Sequence, residues 1–106
     1  MRIRKAAPLL AAIATASCNR PQKSCKFENN GATYCIEWRG YTAAELTTMT
    51  CFGRMEDHRS CPRENAVGYC VVKDARHENH DFFYDRSTSE AKLRADCSPY
   101  EFVSLR

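Results

Sequence analysis

Two absences narrow the field at once. No two of the seven cysteines stand in a C-x-x-C arrangement, so the paired ligands of a structural zinc site and the redox motif of thioredoxin-like proteins are both missing. No apolar run reaches the roughly twenty residues that a membrane-crossing helix needs; the stretch beginning at Ala6 is only about eleven long. Charge of one sign is scarce as well. The formal +3 comes from Arg2, Arg4 and Lys5, and beyond them thirteen basic side chains face thirteen acidic ones. The two signs are interspersed, as in Arg54, Glu56, Asp57, Arg59, Arg63 and Glu64. That is the pattern of a solvated surface, not the basic face of a nucleic-acid or anionic-lipid binder, and no nucleic-acid partner is expected.

What is there begins with a leader. Met1, Arg2, Ile3, Arg4 and Lys5 form a positive n-region. Ala6 to Ala14, with Pro8, Leu9, Leu10 and Ile13, form a short apolar h-region, and the small residues Thr15, Ala16 and Ser17 follow at once. The expected organisation is a signal peptide over 1–17, a tether over 18–30 and a cysteine-rich domain over 31–106. Ala14-Thr15-Ala16 offers a small-x-small cleavage site that would leave Ser17 as the first residue. Alternatively, Thr15-Ala16-Ser17-Cys18 resembles the lipobox of bacterial lipoproteins, with Thr15 where that family prefers leucine. The odd cysteine count favours the second reading: lipidating Cys18 leaves six thiols, at 25, 35, 51, 61, 70 and 97. The resemblance implies more than one acyl chain on Cys18, palmitate among them, hence stable attachment to a membrane. Asn19 rather than aspartate follows the cysteine, which in Gram-negative bacteria favours the outer membrane. The alternative is a freely secreted protein with Cys18 free or bonded to another chain.

The six remaining cysteines are spaced 10, 16, 10, 9 and 27 residues apart. This is a disulfide framework for an oxidising compartment. Each bridge closing a loop of this size contributes roughly 3 kcal/mol in the chain-entropy account, against a total of about 5–15 kcal/mol for a small domain. The bridges are therefore expected to decide whether the domain folds.

Two similar tetrapeptides, Tyr34-Cys35-Ile36-Glu37 and Tyr69-Cys70-Val71-Val72, are rich in strand formers and lie shortly after Gly31 and Gly68. Each precedes a helix signal. Thr42 with Glu45 forms a capping box ahead of Leu46, Met49 and Cys51, and Ser87 with Glu90 does the same ahead of Leu93 and Cys97. Lys73 to His80 reads as a polar turn and Asp81 to Tyr84 as a strand paired back on Tyr69 to Val72, while Tyr100 to Leu105 adds an edge strand. The fold class expected is α+β: a small disulfide-stapled domain with a short antiparallel sheet of three or four strands, two helices and an internal strand–helix repeat. Six cysteines allow fifteen pairings. The repeat selects the symmetric one, Cys35 with Cys51, Cys70 with Cys97 and Cys25 with Cys61.

Cys61-Pro62, Val67-Gly68 before Cys70, the aromatic pair Phe83 and Tyr84, and helices ending in cysteine carry a second resemblance. Over about Tyr34 to Cys97 the chain is similar to a group of uncharacterised small cysteine-rich exported proteins, some of them lipoproteins, of Gram-negative bacteria. Here Cys51 is followed by Phe-Gly-Arg-Met and Cys97 by Ser-Pro-Tyr-Glu, whereas those proteins tend to have a glycine pair and an aromatic at these places. The resemblance implies export and a compact bridged domain, and no activity.

Candidate chemistry is thin. His77-Glu78-Asn79-His80-Asp81 places two imidazoles three apart beside carboxylates, and His58 or Asp57 would complete a metal site. A polar turn is the preferred reading, because metal ligands want rigid elements and supporting hydrogen bonds. Glu37, Glu45 or Asp85 with a histidine offers acid–base chemistry, but no spacing singles out a pair. No catalytic residue, metal or cofactor is therefore assigned. Tyr34, Trp38, Tyr41, Tyr69, Phe82, Phe83 and Tyr84 belong to the core, or in part to an exposed face that contacts a protein or a glycan. The function expected is that of a non-enzymatic cell-envelope lipoprotein serving as a structural or interaction module. The alternatives are a soluble secreted binding factor or inhibitor and, last, a small periplasmic hydrolase.

Overall fold

The computed structural model describes residues 20–57 and 59–106. The expected leader, the lipidation candidate Cys18 and His58 lie outside the described residues. The domain is one six-stranded antiparallel sheet in the order β3-β1-β2-β5-β4-β6. Its elements are β1 (Lys23–Asn29), β2 (Ala32–Arg39), α1 (Ala43–Thr47), β3 (Arg54–Asp57), β4 (Gly68–Lys73), β5 (Glu78–Phe83), α2 (Glu90–Cys97) and β6 (Glu101–Ser104). Strands dominate, and the expected α+β domain of three or four strands gives way to this larger sheet with two short helices.

The two extra strands, β1 and β3, were hidden for physical reasons. β1 lies within the stretch expected to be tether. Its alternation of Lys23, Cys25 and Phe27 against Ser24, Lys26 and Glu28 is too polar to stand out, and a disulfide from Cys25 to Cys51 draws it into the core. β3 is short and charged and is held by pairing with β1 from Lys23↔Asp57 to Lys26↔Arg54. The β1–β2 hairpin closes through Asn30 and Gly31, both at positive φ (54° and 81°), the geometry of a type I′ turn. The second hairpin, β4–β5, turns over Asp74 to His77, so half of the expected polar turn, Lys73 and Glu78 to His80, is in fact strand.

The expected strand–helix repeat, which aligned Cys35 with Cys70, does not exist. Each half is instead a ββαβ unit: β1-β2-α1-β3 and β4-β5-α2-β6. In each, the hairpin is followed by a helix, and the last strand returns to the outer edge of the first. The halves meet at the β2–β5 pair, so the strand order reads the same from either side about a pseudo-two-fold axis. Register fixes the correspondence. Cys25 pairs with Ile36 and Met55 in the first half, as Cys70 pairs with Asp81 and Phe102 in the second.

This correspondence explains the bridges: Cys25–Cys51, Cys35–Cys61 and Cys70–Cys97, each with Cα atoms 5.5–5.8 Å apart. Cys70–Cys97 agrees with the symmetric pairing; the other two exchange partners. The first strand of each half, not the second, is bridged to the segment before its last strand. Cys35 on β2 is left for the loop that joins the halves.

Pleating divides the side chains between two faces. The helix face carries Cys25, Tyr34, Ile36, Trp38, Asn79, Asp81, Phe83, Cys70, Val72 and Phe102. Leu93 and Cys97 of α2 pack there on Val67, Cys70 and Phe102. The loop face carries Cys35, Glu37, Arg39, Glu78, His80, Phe82 and Tyr69. There Cys61 and Ala66 of the joining loop pack on Cys35 and Phe82, with Tyr69 and Tyr84 beside them.

Short elements need good ends. Thr42 caps α1 with the full capping box: the Glu45 N–H donates to Thr42 Oγ1 at 3.1 Å, and the Thr42 N–H donates to Glu45 Oε1 at 2.8 Å. α2 is capped by Ser89, two residues later than Ser87, whose N–H and hydroxyl both donate to Asp85 Oδ1. At the start of the domain Gln22 is clamped. Its N–H donates to the Trp38 carbonyl at 2.8 Å, and its side-chain amide both donates to and accepts from the Tyr41 backbone, at 2.7 and 2.8 Å.

Candidate functional site

The His77–Asp81 motif is not a turn but the entry to a strand, and alternation pulls it apart. His77, Asn79 and Asp81 go to the helix face and Glu78 and His80 to the loop face. The two imidazoles therefore point away from one another. Asp57 sits on the far edge strand, ion-paired with Lys23 at 3.3 Å. Among the described residues no group of three or more His, Cys, Asp or Glu side chains is placed to hold a metal ion.

On the loop face the centre is Glu37, which has no exposed surface. Its Oε1 takes the Arg39 guanidinium at 2.6 Å. Its Oε2 takes the Cys61 N–H at 2.6 Å and the Arg63 guanidinium at 3.4 Å. His80 lies beside it, with Nδ1 3.7 Å from Glu37 Oε1, Nε2 2.5 Å from Glu78 Oε2 and its ring stacked on Tyr69. Burial pulls the His80 imidazole below its usual range, against the opposing pull of Glu78. Tyr84 closes the cover by donating to the Pro62 carbonyl at 2.6 Å, and burial pushes its phenol up to about 12. These groups hold the joining loop onto the sheet.

On the helix face, at the α1 end, His77 stacks on Tyr41 and reaches Glu45 Oε2 through Nε2 at 2.9 Å and Asp74 Oδ2 through Nδ1 at 3.3 Å. Arg76 joins the same Glu45 oxygen at 2.6 Å, and the Tyr41 hydroxyl donates to Asn79 Oδ1 at 2.5 Å. Backbone N–H donation from His77 and Arg76 holds the Asp74 carboxyl down to about 2. Glu45 therefore ties the α1 cap to the β4–β5 turn. The three carboxylates considered for acid–base work, Glu37, Glu45 and Asp85, stand at three separate places, each engaged in fixing local structure.

The aromatics are likewise divided. Phe82 (1 % exposed) and Trp38 (7 %) are core, on opposite faces. Phe27, Tyr34 and Phe83 form a half-buried line across the helix face, with ring centroids 5.5 and 6.2 Å apart. Beside it a cleft of about 160 Å³ is lined by Tyr34, Phe83, Leu93, Lys92 and Asp96, among others.

Asp81, which the sequence offers only as the end of the His77–Asp81 motif and the start of a strand, has a separate setting. It is the direct cross-strand partner of Ile36, and by register its counterpart in the other half is that same Ile36. The pair therefore lies on the pseudo-two-fold axis. Asp81 is partly exposed, but its Oδ1 is sealed from solvent and has no hydrogen-bond partner among the described residues. Burial alone pushes its carboxyl up to about 6. Standing directly after Glu78, Asn79 and His80, Asp81 carries no signal of its own in the sequence.

No family model matches the chain, and neither a curated protein nor a solved structure matches it.

Proposed function

We propose that this protein is a non-enzymatic cell-envelope lipoprotein, anchored through Cys18 to the outer membrane, whose bridged sheet serves as an interaction module. The observation that carries this reading is the pairing of the other six cysteines within the chain, which leaves Cys18 as the odd thiol of seven. An odd thiol in an exported protein needs a use, and lipidation supplies one. The Thr15-Ala16-Ser17-Cys18 sequence and Asn19 support the same reading. Contact rather than turnover is supported by the engagement of Glu37, Glu45 and His77 in tying loop, helix and turn to the sheet.

Mass spectrometry of the mature amino terminus tests the proposal. The expected result is an acylated Cys18 and partition into the outer-membrane fraction, with release of the Cys18→Ser variant. An unmodified chain beginning at Ser17 and recovered from the medium overturns it in favour of a secreted factor.

A further inference from the structure

The pseudo-two-fold axis provides an internal control. Across the helix face one row of side chains runs Met55, Cys25, Ile36, Asp81, Cys70 and Phe102. It is symmetric in kind except at its centre: sulfur faces sulfur, Met55 faces Phe102, and isoleucine faces aspartate. The first half builds the same strand, the same register and the same bridge with Ile36 where the second half has Asp81. The fold at this position is thus satisfied by a branched aliphatic residue, and the carboxylate answers to something else.

The surroundings say what. Cys25–Cys51 and Cys70–Cys97 stand on either side of the Ile36–Asp81 pair, on strands three spacings or about 14 Å apart, and the strip of sheet between the two bridges is termed the trough. Both floor residues are partly exposed. One row along, Tyr34 and Phe83 lead to the cleft beneath α2, and in the other direction the buried Trp38 closes the trough. The neighbours of Asp81 on the helix face, Ile36, Cys70, Asn79 and Phe83, bring no cation. Lys92 at the rim is committed to Asp96 at 3.1 Å. A desolvated carboxylate without a partner, set among apolar and aromatic side chains, fits a positive charge carried on an apolar stem.

The geometry points to the Ile36–Asp81 trough as the docking site for a lysine or arginine side chain of a partner polypeptide, with Asp81 receiving the charge and Ile36, Tyr34 and Phe83 the stem. This rests on the reading as an interaction module and names the chemistry of the partner.

Blocked pentapeptides Gly-Leu-Xaa-Leu-Gly, with arginine, lysine, glutamine or glutamate at the centre, serve as probes against the exported, disulfide-intact protein held in detergent micelles, followed by amide chemical shifts. The arginine and lysine peptides should shift the amides of Ile36, Asp81 and Cys70 and bind about tenfold or more tighter than the other two. Asp81→Asn should erase that preference; having one unpaired charge fewer, it should fold at least as well as the parent. Binding of all four peptides at the trough with equal strength, unaltered in Asp81→Asn, overturns the cation assignment and leaves the module reading intact. Absence of binding at millimolar peptide, or shifts confined to other surfaces, also overturns it.

Discussion

The backbone N–H of Cys61 donates to Glu37 Oε2 at 2.6 Å, linking the joining loop to the centre of the loop face at the residue that also forms the Cys35–Cys61 bridge. The loop is thus held by one covalent and one charge-assisted bond at a single position. Glu37→Ala removes the fully buried carboxylate that the Cys61 N–H and the Arg39 and Arg63 guanidiniums share. Removing one partner of a buried pair costs about 3–5 kcal/mol. Urea unfolding should show a loss of that order, and a loss below about 1 kcal/mol would mean that water reaches the site.

Asp81 gives stability an uncommon slope with pH. Its folded carboxyl, near 6, is higher than the 3.8 of an unperturbed aspartate, so the folded form keeps its proton where the unfolded chain has lost it. The contribution of this group is full below pH about 4 and is lost as pH rises through about 6. Asp81→Asn should therefore raise stability at pH 7 by roughly 2 kcal/mol, allowing for partial exposure, and by much less at pH 4. Melting temperatures across that window check it; parallel curves for variant and parent contradict it.

Each bridge spans 26 or 27 residues, for which loop closure contributes about 3.5 kcal/mol. Full reduction should remove the cooperative thermal transition. Replacing only Cys70 and Cys97 by alanine should lower stability by about 3 kcal/mol and loosen α2 first, visible as faster amide exchange at Leu93.

The β6 edge is guarded by a side chain. Arg94 of α2 lies over the Phe102 ring at 5.3 Å and donates to the outward-facing Phe102 carbonyl at 3.4 Å, while the β3 edge is lined by Arg54, Glu56 and Asp57. Arg94→Ala should cost about 1 kcal/mol and expose a pairing edge next to Tyr100 and Leu105, both exposed. Sedimentation should then detect self-association absent from the parent, and a strictly monomeric variant would show that the edge is closed by other means.

How far the sequence announced this molecule depends on what each signal competes with. The Thr42–Glu45 capping box was legible because nothing else claims those groups. Ser87 misled because Asp85 uses it in a turn, moving the α2 cap to Ser89. α1 stops at Thr47 rather than running to Cys51, since Thr47, Thr48 and Thr50 are poor helix formers. Asn30-Gly31 was a strong hairpin signal, overlooked because the segment before it is so polar. Comparing Cys35 with Cys70 hid the duplication, which register aligns through Cys25. The trough around Asp81 exists only once β2 and β5 pair across the axis, a long-range contact that no local pattern encodes.

The clamp on Gln22 sets a geometry for the whole envelope reading. With that residue fixed against Trp38 and Tyr41, an acylated Cys18 is at most about 14 Å of extended chain away. On that reading so short a leash would keep the α1 end close against the lipid headgroups and leave little freedom to swing. A partner would then approach along the bilayer surface or from the side remote from it.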